Sequence, residues 1–200
     1  VHTPDANSEA VVEFVLATML PKLRPMEQVV GAMDLAQWSK SRDSAMCSSQ
    51  FNEMTLGIVG FGRIGGRLGR IARSMGFRVL FHDIADIEQT HGCESSNLDT
   101  LLGDSHAVSI HVDGRKENKH LCDSTFFSKM KAGAVFINTS RGFVTDSQAL
   151  ANHVSLDPKA SAVLDVHDPE PIGATYPLLR LPNVTLYPHA ACKTKTATIN

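Results

Sequence analysis

A parallel, doubly wound α/β sheet in three layers is the fold this sequence predicts, on two observations. Apolar runs of strand length alternate with segments of helical periodicity along the chain, as successive βαβ units require. Within that alternation, residues 55–83 (TLGIVGFGRIGGRLGRIARSMGFRVLFHD) read as strand, glycine turn, helix and second strand, closed by an acid. Leu56, Ile58 and Val59 form a short apolar run suited to a strand covered on both faces. Leu68, Ile71, Ala72 and Met75 recur at spacings of three and four, one apolar helical stripe, and Gly76 ends that helix. Phe77 to His82 is the next strand, delivering Asp83.

The turn between them is a G-x-G-x-x-G, Gly60 to Gly65. Gly60 permits the sharp turn, Gly62 lets a pyrophosphate approach the backbone, and Gly65 lets helix and strand pack closely. The helix N-terminus, at Arg63 and Ile64, offers free N–H groups and partial positive charge to phosphates. Asp83 stands about 20 residues beyond the glycines, where a carboxylate accepts from a ribose 2′-OH and repels a 2′-phosphate. The dinucleotide expected here is therefore NAD rather than NADP.

The other elements follow in order. Residues 2–5 (HTPD) read as a connector into a helix that Asn7 or Ser8 caps, with Glu9 and Glu13 near its positive end. Ala10, Phe14, Ala17 and Leu20 give that helix a stripe, widened by Val11, Val15 and Leu16. Pro21 is expected to break or kink it, and Pro25 to open a second segment toward Leu35. Trp38 to Asn52 is polar and irregular and reads as a loop. Further along, Leu98–Leu102, Phe126–Met130 and Gln148–Val154 read as helical. Ala107–Val112, Ala134–Asn138, Ala162–Val166 and Val184–Tyr187 read as strands. No internal repeat or low-complexity tract interrupts them.

Composition bounds the function classes. A chain of 200 residues, 42% hydrophobic, holds ample core for one domain. A formal net charge of −2 gives no reason to expect nucleic acid or an anionic membrane as partner. The four cysteines carry no C-x-x-C and no dense framework, so reduced thiols in the cytoplasm are expected. His91-Gly-Cys93 and His120-Leu-Cys122 lack a second pair at zinc-site spacing, so no metal is expected. No apolar run is long enough to span a bilayer, and no signal peptide is evident.

The second half carries the residues that can do chemistry. Arg141 follows directly on the strand ending Ile137-Asn138, at the carboxyl edge where ligands bind in such sheets. A guanidinium there can grip a carboxylate with two parallel hydrogen bonds; its bland alternative is a solvated turn residue. Glu170, between Pro169 and Pro171, leaves another strand, and as a loop Glu it could be a surface charge. His189 lies just past one more strand, and alone it reads as structural as readily as catalytic. Together the three make an acid–base constellation: Arg for a carboxylate, His for a proton, Glu to orient and charge-stabilise the His.

Four motifs in this order, GFGRIG (60–65), INTSRG (137–142), LDVHDPEP (164–171) and NVTLYPH (183–189), resemble the D-isomer-specific 2-hydroxyacid dehydrogenases. The likeness runs from about Thr3 to His189. It implies a Rossmann-type fold and reversible hydride transfer between NAD and C2 of a small 2-keto or D-2-hydroxy acid. Arg141 would bind the substrate carboxylate, His189 would exchange the proton, and Glu170 would assist it. Cofactor contacts would map to Gly60, Gly62, Arg63, Ile64, Gly65, Asp83, Val112, Thr139, Ser140 and Asp165, the last of these on the nicotinamide carboxamide. The family inserts its nucleotide domain into a discontinuous substrate domain through two long helices. Residues about 8–35 would be the first, and about 194–200 the start of the second, so most of the substrate domain is expected to lie outside this chain. Homodimerisation through the cofactor domain is also implied, an exposed stripe on the first helix being compatible with it. An NAD-sensing binding module of corepressor type, or a fragment that binds cofactor without turnover, is the rival.

Three departures from the family pattern stand out. His111-Val-Asp113-Gly114 replaces the usual H-x-P-L, His106 replaces an Asp, and Ala-Ala-Cys-Lys193 follows the catalytic His. They alter the loop near the nicotinamide ribose and leave Lys193 near the substrate mouth.

Overall fold

The computed structural model describes residues 6–26, 28–44, 46, 47 and 49–195. Seven strands form one sheet: β1 (Thr55–Val59), β2 (Arg78–His82), β3 (Glu94–Ser95), β4 (Ala107–Ile110), β5 (Val135–Asn138), β6 (Ser161–Leu164) and β7 (Val184–Leu186). Their order is β3-β2-β1-β4-β5-β6-β7, and every pairing is parallel. The order reverses between β1 and β4, which opens a crevice at the carboxyl ends of those two strands.

Side-chain alternation along the strands feeds two cores. Leu56, Ile58, Val79, Phe81, Val135, Ile137 and Val163 face one side, against α1 (Ala6–Leu23) and α3 (Arg63–Ser74). Val59, Leu80, Val108, Ile110, Phe136, Ala162 and Leu164 face the other. There they meet α4 (Leu98–Asp104), α5 (Ser124–Lys129) and α6 (Ser147–Leu156), through side chains such as Leu101, Phe127 and Leu150. This is the three-layer, doubly wound architecture that the alternating pattern predicts.

The N-terminal region departs from expectation. α1 runs through Pro21 to Leu23, and the Arg24 N–H still reaches the Leu20 carbonyl at 2.8 Å. A proline two residues from a helix end removes one hydrogen bond and leaves too little helix beyond it to kink. Its stripe is covered only in part: Ala10, Val11 and Val15 are buried, as are Val12 and Met19 beside them, while Phe14, Leu16 and Leu20 are half-buried and Ala17 is exposed. Among the described residues, no helix lies between Pro25 and Leu35. Instead α2 (Leu35–Ser44) begins ten residues later and occupies the first half of the expected Trp38–Asn52 loop. A reciprocal cap starts it, with the Gln37 N–H donating to Asp34 Oδ1 (2.8 Å) and the Asp34 N–H to Gln37 Oε1 (3.0 Å). No residue of α2 is buried, which is why hydrophobic periodicity does not reveal it. β3, two exposed polar residues, was equally invisible to that signal. The expected connector at residues 2–5, and residues 196–200 of the expected second linking helix, lie outside the described residues.

Candidate active site and cofactor crevice

The glycine turn sits at the switch point. Gly60 adopts φ +91°, its N–H donates to the His82 carbonyl, and an added Cβ would lie 2.7 Å from the His111 backbone. The chain after β1 and the chain after β4 thus meet where only glycine fits. Gly62 is the N-cap of α3, with no side chain capping that end and open space where a Cβ would stand. An added Cβ at Gly65 would lie 2.1 Å from the Gly60 carbonyl oxygen, the close helix–strand approach that the spacing anticipates.

Asp83, at the end of β2, turns its carboxylate back on this turn. Oδ2 accepts the Phe61 N–H at 2.6 Å and Oδ1 the Ala85 N–H at 2.9 Å. Gly60, Gly62, Asp83 and Val112 line one cavity of about 260 Å³, with Ile84, Leu98 and Leu121 supplying apolar wall. Arg115, gripped by Asp113 (2.5 and 2.7 Å), closes its rim together with Asn118. Asn118 Nδ2 donates to Asp113 Oδ1 (3.1 Å) and to its carbonyl (3.0 Å). Arg63 is exposed at the first turn of α3, and Ile64 packs partly against the core.

The turn after β5 is built on Asn138, which is fully buried. Its Oδ1 accepts the Ser140 N–H and hydroxyl (2.8 and 2.9 Å), while Nδ2 donates to the Arg141 carbonyl and Thr145 Oγ1 (3.0 and 2.9 Å). Ser140 is thereby turned inward. Thr139 Oγ1, by contrast, is buried with no hydrogen-bond partner among the described residues. Arg141 is exposed, its Nη1 donating to the Ser140 carbonyl at 2.7 Å. It stands against Gly114, where an added Cβ would lie 3.5 Å from its Nε.

Asp165, at the end of β6 and 1% exposed, organises the turn after β7. Its carbonyl accepts the His189 N–H at 2.8 Å, and its carboxylate accepts Ala190 N–H and Ala191 N–H at 2.7 and 2.9 Å. Those bonds hold His189 at φ +55°, in the left-handed region. His189 Nδ1 then meets Glu170 Oε2 at 2.8 Å, and Glu170 Oε1 accepts the His167 N–H at 2.8 Å. Because a carboxylate only accepts, Nδ1 carries the hydrogen and Nε2 is the ring atom left to exchange a proton. Burial alone would raise the Glu170 carboxyl. The hydrogen bonds from His189 and from the His167 N–H, with the nearby imidazole charge, outweigh it and hold the carboxyl below its ordinary range.

β5, β6 and β7 are neighbours in the sheet, so Arg141, Glu170 and His189 leave the same edge side by side. A cavity of about 480 Å³ opens beside Glu170 and His189, lined also by Ile172 and Tyr187; Arg141 does not line it. The departures from the family pattern also find places. His106 Nδ1 accepts the Thr55 N–H at 3.0 Å, joining β4 to the start of β1. Burial, and to a lesser extent the Lys131 charge, lower its pKa and keep that lone pair free. Sequence reasoning assigned no role to Asn138, His167 or Tyr176. A polar residue at the end of an apolar strand was the one signal that could have flagged Asn138. Among the described residues, no group of three His, Cys, Asp or Glu side chains is arranged to hold a metal ion.

Residues 16–191 match the family described as D-isomer specific 2-hydroxyacid dehydrogenase, NAD binding domain. The chain is 33% identical over 201 residues to a glyoxylate reductase of Aeropyrum pernix, covering 97% of this chain and 60% of that protein. It is 34% identical over 203 residues to glyoxylate/hydroxypyruvate reductase B of Klebsiella pneumoniae, covering 100% of this chain and 63% of that protein. A crystal structure of D-lactate dehydrogenase from Aquifex aeolicus, complexed with NAD and lactic acid, aligns with a TM-score of 0.79 at 27% identity. That alignment covers 99% of this chain and 64% of the other. The chain thus spans about 60% of the length of the curated relatives it matches.

Proposed function

Because the chain belongs to the D-isomer specific 2-hydroxyacid dehydrogenases, matched in their NAD-binding domain, we propose that it is the cofactor half of an NAD-dependent oxidoreductase. The reaction moves a hydride between the nicotinamide and C2 of a small D-2-hydroxy acid or 2-keto acid. The observation that carries this reading is the Glu170–His189 pair at 2.8 Å, on the sheet edge that also presents Arg141.

The residues present fit the cofactor. The uncapped first turn of α3 at Gly62, Arg63, Ile64 and Gly65 would receive the pyrophosphate, with Gly62 open to its close approach and Gly60 making the turn. Asp83 directs Oδ2 at the turn and Oδ1 at the Ala85 N–H, and the remaining lone pairs of the carboxylate would be able to accept ribose hydroxyls. Val112, the unpartnered Thr139 hydroxyl, Ser140 and Asp165 carry the site toward the reacting end. When bound, NAD supplies the hydride chemistry.

The protein supplies orientation and the proton. Arg141 swings from the Ser140 carbonyl to grip the substrate carboxylate with two hydrogen bonds. In reduction, His189 gives the Nε2 proton to the carbonyl oxygen; in oxidation, its neutral ring takes the hydroxyl proton. Glu170 fixes the tautomer and balances the imidazolium. The Asp165 clamp on residues 189–191 holds the ring on its turn.

Most of the substrate domain is supplied from outside these residues. Homodimerisation, which the family resemblance implies, is supported by the exposed apolar side chains Met26, Val29, Val30, Leu35 and Trp38. A reducing, cytoplasmic location is supported by four free cysteines, two of them buried in the cores. Among the described residues, no helix is long and apolar enough to cross a membrane.

The test is reduction of a panel of 2-keto acids by NADH, followed by NADH absorbance, using a protein that joins this domain to a substrate domain. Turnover with glyoxylate, hydroxypyruvate or pyruvate is expected. NADH binding without reduction of any 2-keto acid would leave the domain a binding module and end the dehydrogenase reading.

A further inference from the structure

His167 touches the setting of all three proposed site residues. Its backbone N–H donates to Glu170 Oε1 at 2.8 Å, on the carboxylate whose other oxygen meets His189 Nδ1. Its ring Nε2 lies 2.7 Å from the carbonyl oxygen of Tyr187, two residues before His189. Its own carbonyl abuts Gly142, beside Arg141, where an added Cβ would fall 1.9 Å from the His167 oxygen.

The chemistry of these partners fixes the ring. A carbonyl only accepts, so Nε2 carries the hydrogen and Nδ1 presents a lone pair. That lone pair faces the Tyr176 hydroxyl at 3.4 Å, and the two rings meet edge to face with centroids 5.6 Å apart. Burial, then the charges of Asp168 and Glu170, push the Tyr176 phenol up to about 12, so it stays a donor. His167 is 9% exposed and Tyr176 8%, so the pair is locked by packing as well as by hydrogen bonds.

Two loops carry the Glu–His pair, and His167 spans them. Asp165 clamps the backbone of the His189 turn, but it does not touch Glu170. His167 holds Glu170 with its amide and the approach to His189 with its ring. We propose that His167 is a positioning residue that sets the Glu170–His189 spacing, acting through those two side chains rather than on the reacting atoms. Its catalytic consequence rests on the dehydrogenase reading; its geometric claim does not.

Two substitutions separate hydrogen bonding from ring volume. H167F keeps a buried ring but loses both nitrogens, whereas H167Q can still donate an amide N–H to the Tyr187 carbonyl. Long-range proton–nitrogen NMR of this chain reads the His189 Nδ1–H held by Glu170. That signal is expected in the parent and in H167Q and is expected to vanish in H167F. In the complete enzyme, H167F should lower kcat about 10- to 100-fold, the scale of a small misplacement, with KM for the keto acid within about twofold. H167Q should recover most of the loss.

An H167F variant that keeps both the His189 signal and full kcat would overturn the proposal. So would a folded H167Q that loses the signal, an outcome that decides the matter even if H167F does not fold. A parent enzyme that reduces no 2-keto acid would remove the functional reading, and the NMR comparison would still judge His167.

Discussion

Glu170 and His189, 19 positions apart in the chain, stand 2.8 Å from carboxylate Oε2 to ring Nδ1. The carboxylate is ionised well below neutrality and is held from its other side by the His167 N–H. In the complete enzyme, His189→Ala is expected to lower kcat by about a hundredfold or more, and Glu170→Gln by about 10- to 100-fold. Steady-state kinetics checks both, and unchanged kcat in the two variants would remove them from the mechanism.

Arg141 should act on substrate binding more than on proton transfer. Charge-assisted hydrogen bonds of about 1.5–3 kcal/mol correspond to a loss of about 10- to 150-fold in kcat/KM for Arg141→Ala. Arg141→Lys keeps the charge but not the two-pronged geometry and should recover only part of the loss. NADH affinity, read by fluorescence, should hold within about twofold in both variants.

Asp83 is predicted to set cofactor choice through charge. Asp83→Asn keeps an oxygen for the Phe61 N–H, so the glycine turn should persist. With the negative charge gone, the preference for NADH over NADPH should shrink by about tenfold or more. Paired binding titrations measure it. An unaltered ratio of dissociation constants would place the discrimination elsewhere.

His111 makes stability depend on pH. Burial pushes its imidazole down to about 4, and its Nε2 lies 2.8 Å from Ser109 Oγ. The unfolded chain binds the proton near pH 6.5, before the folded one does, so this contribution is present above that pH and is lost as pH falls toward 4. The group should cost about 2 kcal/mol of stability between pH 7 and pH 5. Urea unfolding at the two pH values tests this against His111→Gln, in which that part of the loss should disappear.

Much of this was legible in the chain because the responsible forces are local. Gly60, Gly62 and Gly65 announce their turn through what a Cβ would strike, and the strands announce themselves through runs that the two cores require. Trp38 was misplaced in a loop because α2 buries nothing, so no apolar period marks it and only the Asp34–Gln37 cap does. The stripe of α1 was legible as apolar, but not which part of it is covered; Val11 and Val15 meet the sheet through contacts distant in sequence, while Ala17 stays exposed. Asn138 escaped notice although its partners, Ser140, Arg141 and Thr145, are near in sequence, because no periodicity marks a turn's hydrogen bonds; the ring of His167 escaped because its Tyr187 partner lies 20 residues away.

The amino-acid sequence by itself determined the kind of fold and the crevice turn with its acid, since each follows from short-range sterics and periodicity; Arg141, Glu170 and His189 stood out only through motifs that resemble a family. Only the tertiary structure decided that Arg141, Glu170 and His189 share one edge. That depends on β5, β6 and β7 lying side by side and on hydrogen bonds between separate loops, from Ala190 and Ala191 to Asp165 and from the His167 ring to Tyr187. Such bonds form only after the chain has closed long loops and excluded water, so no local pattern encodes their geometry.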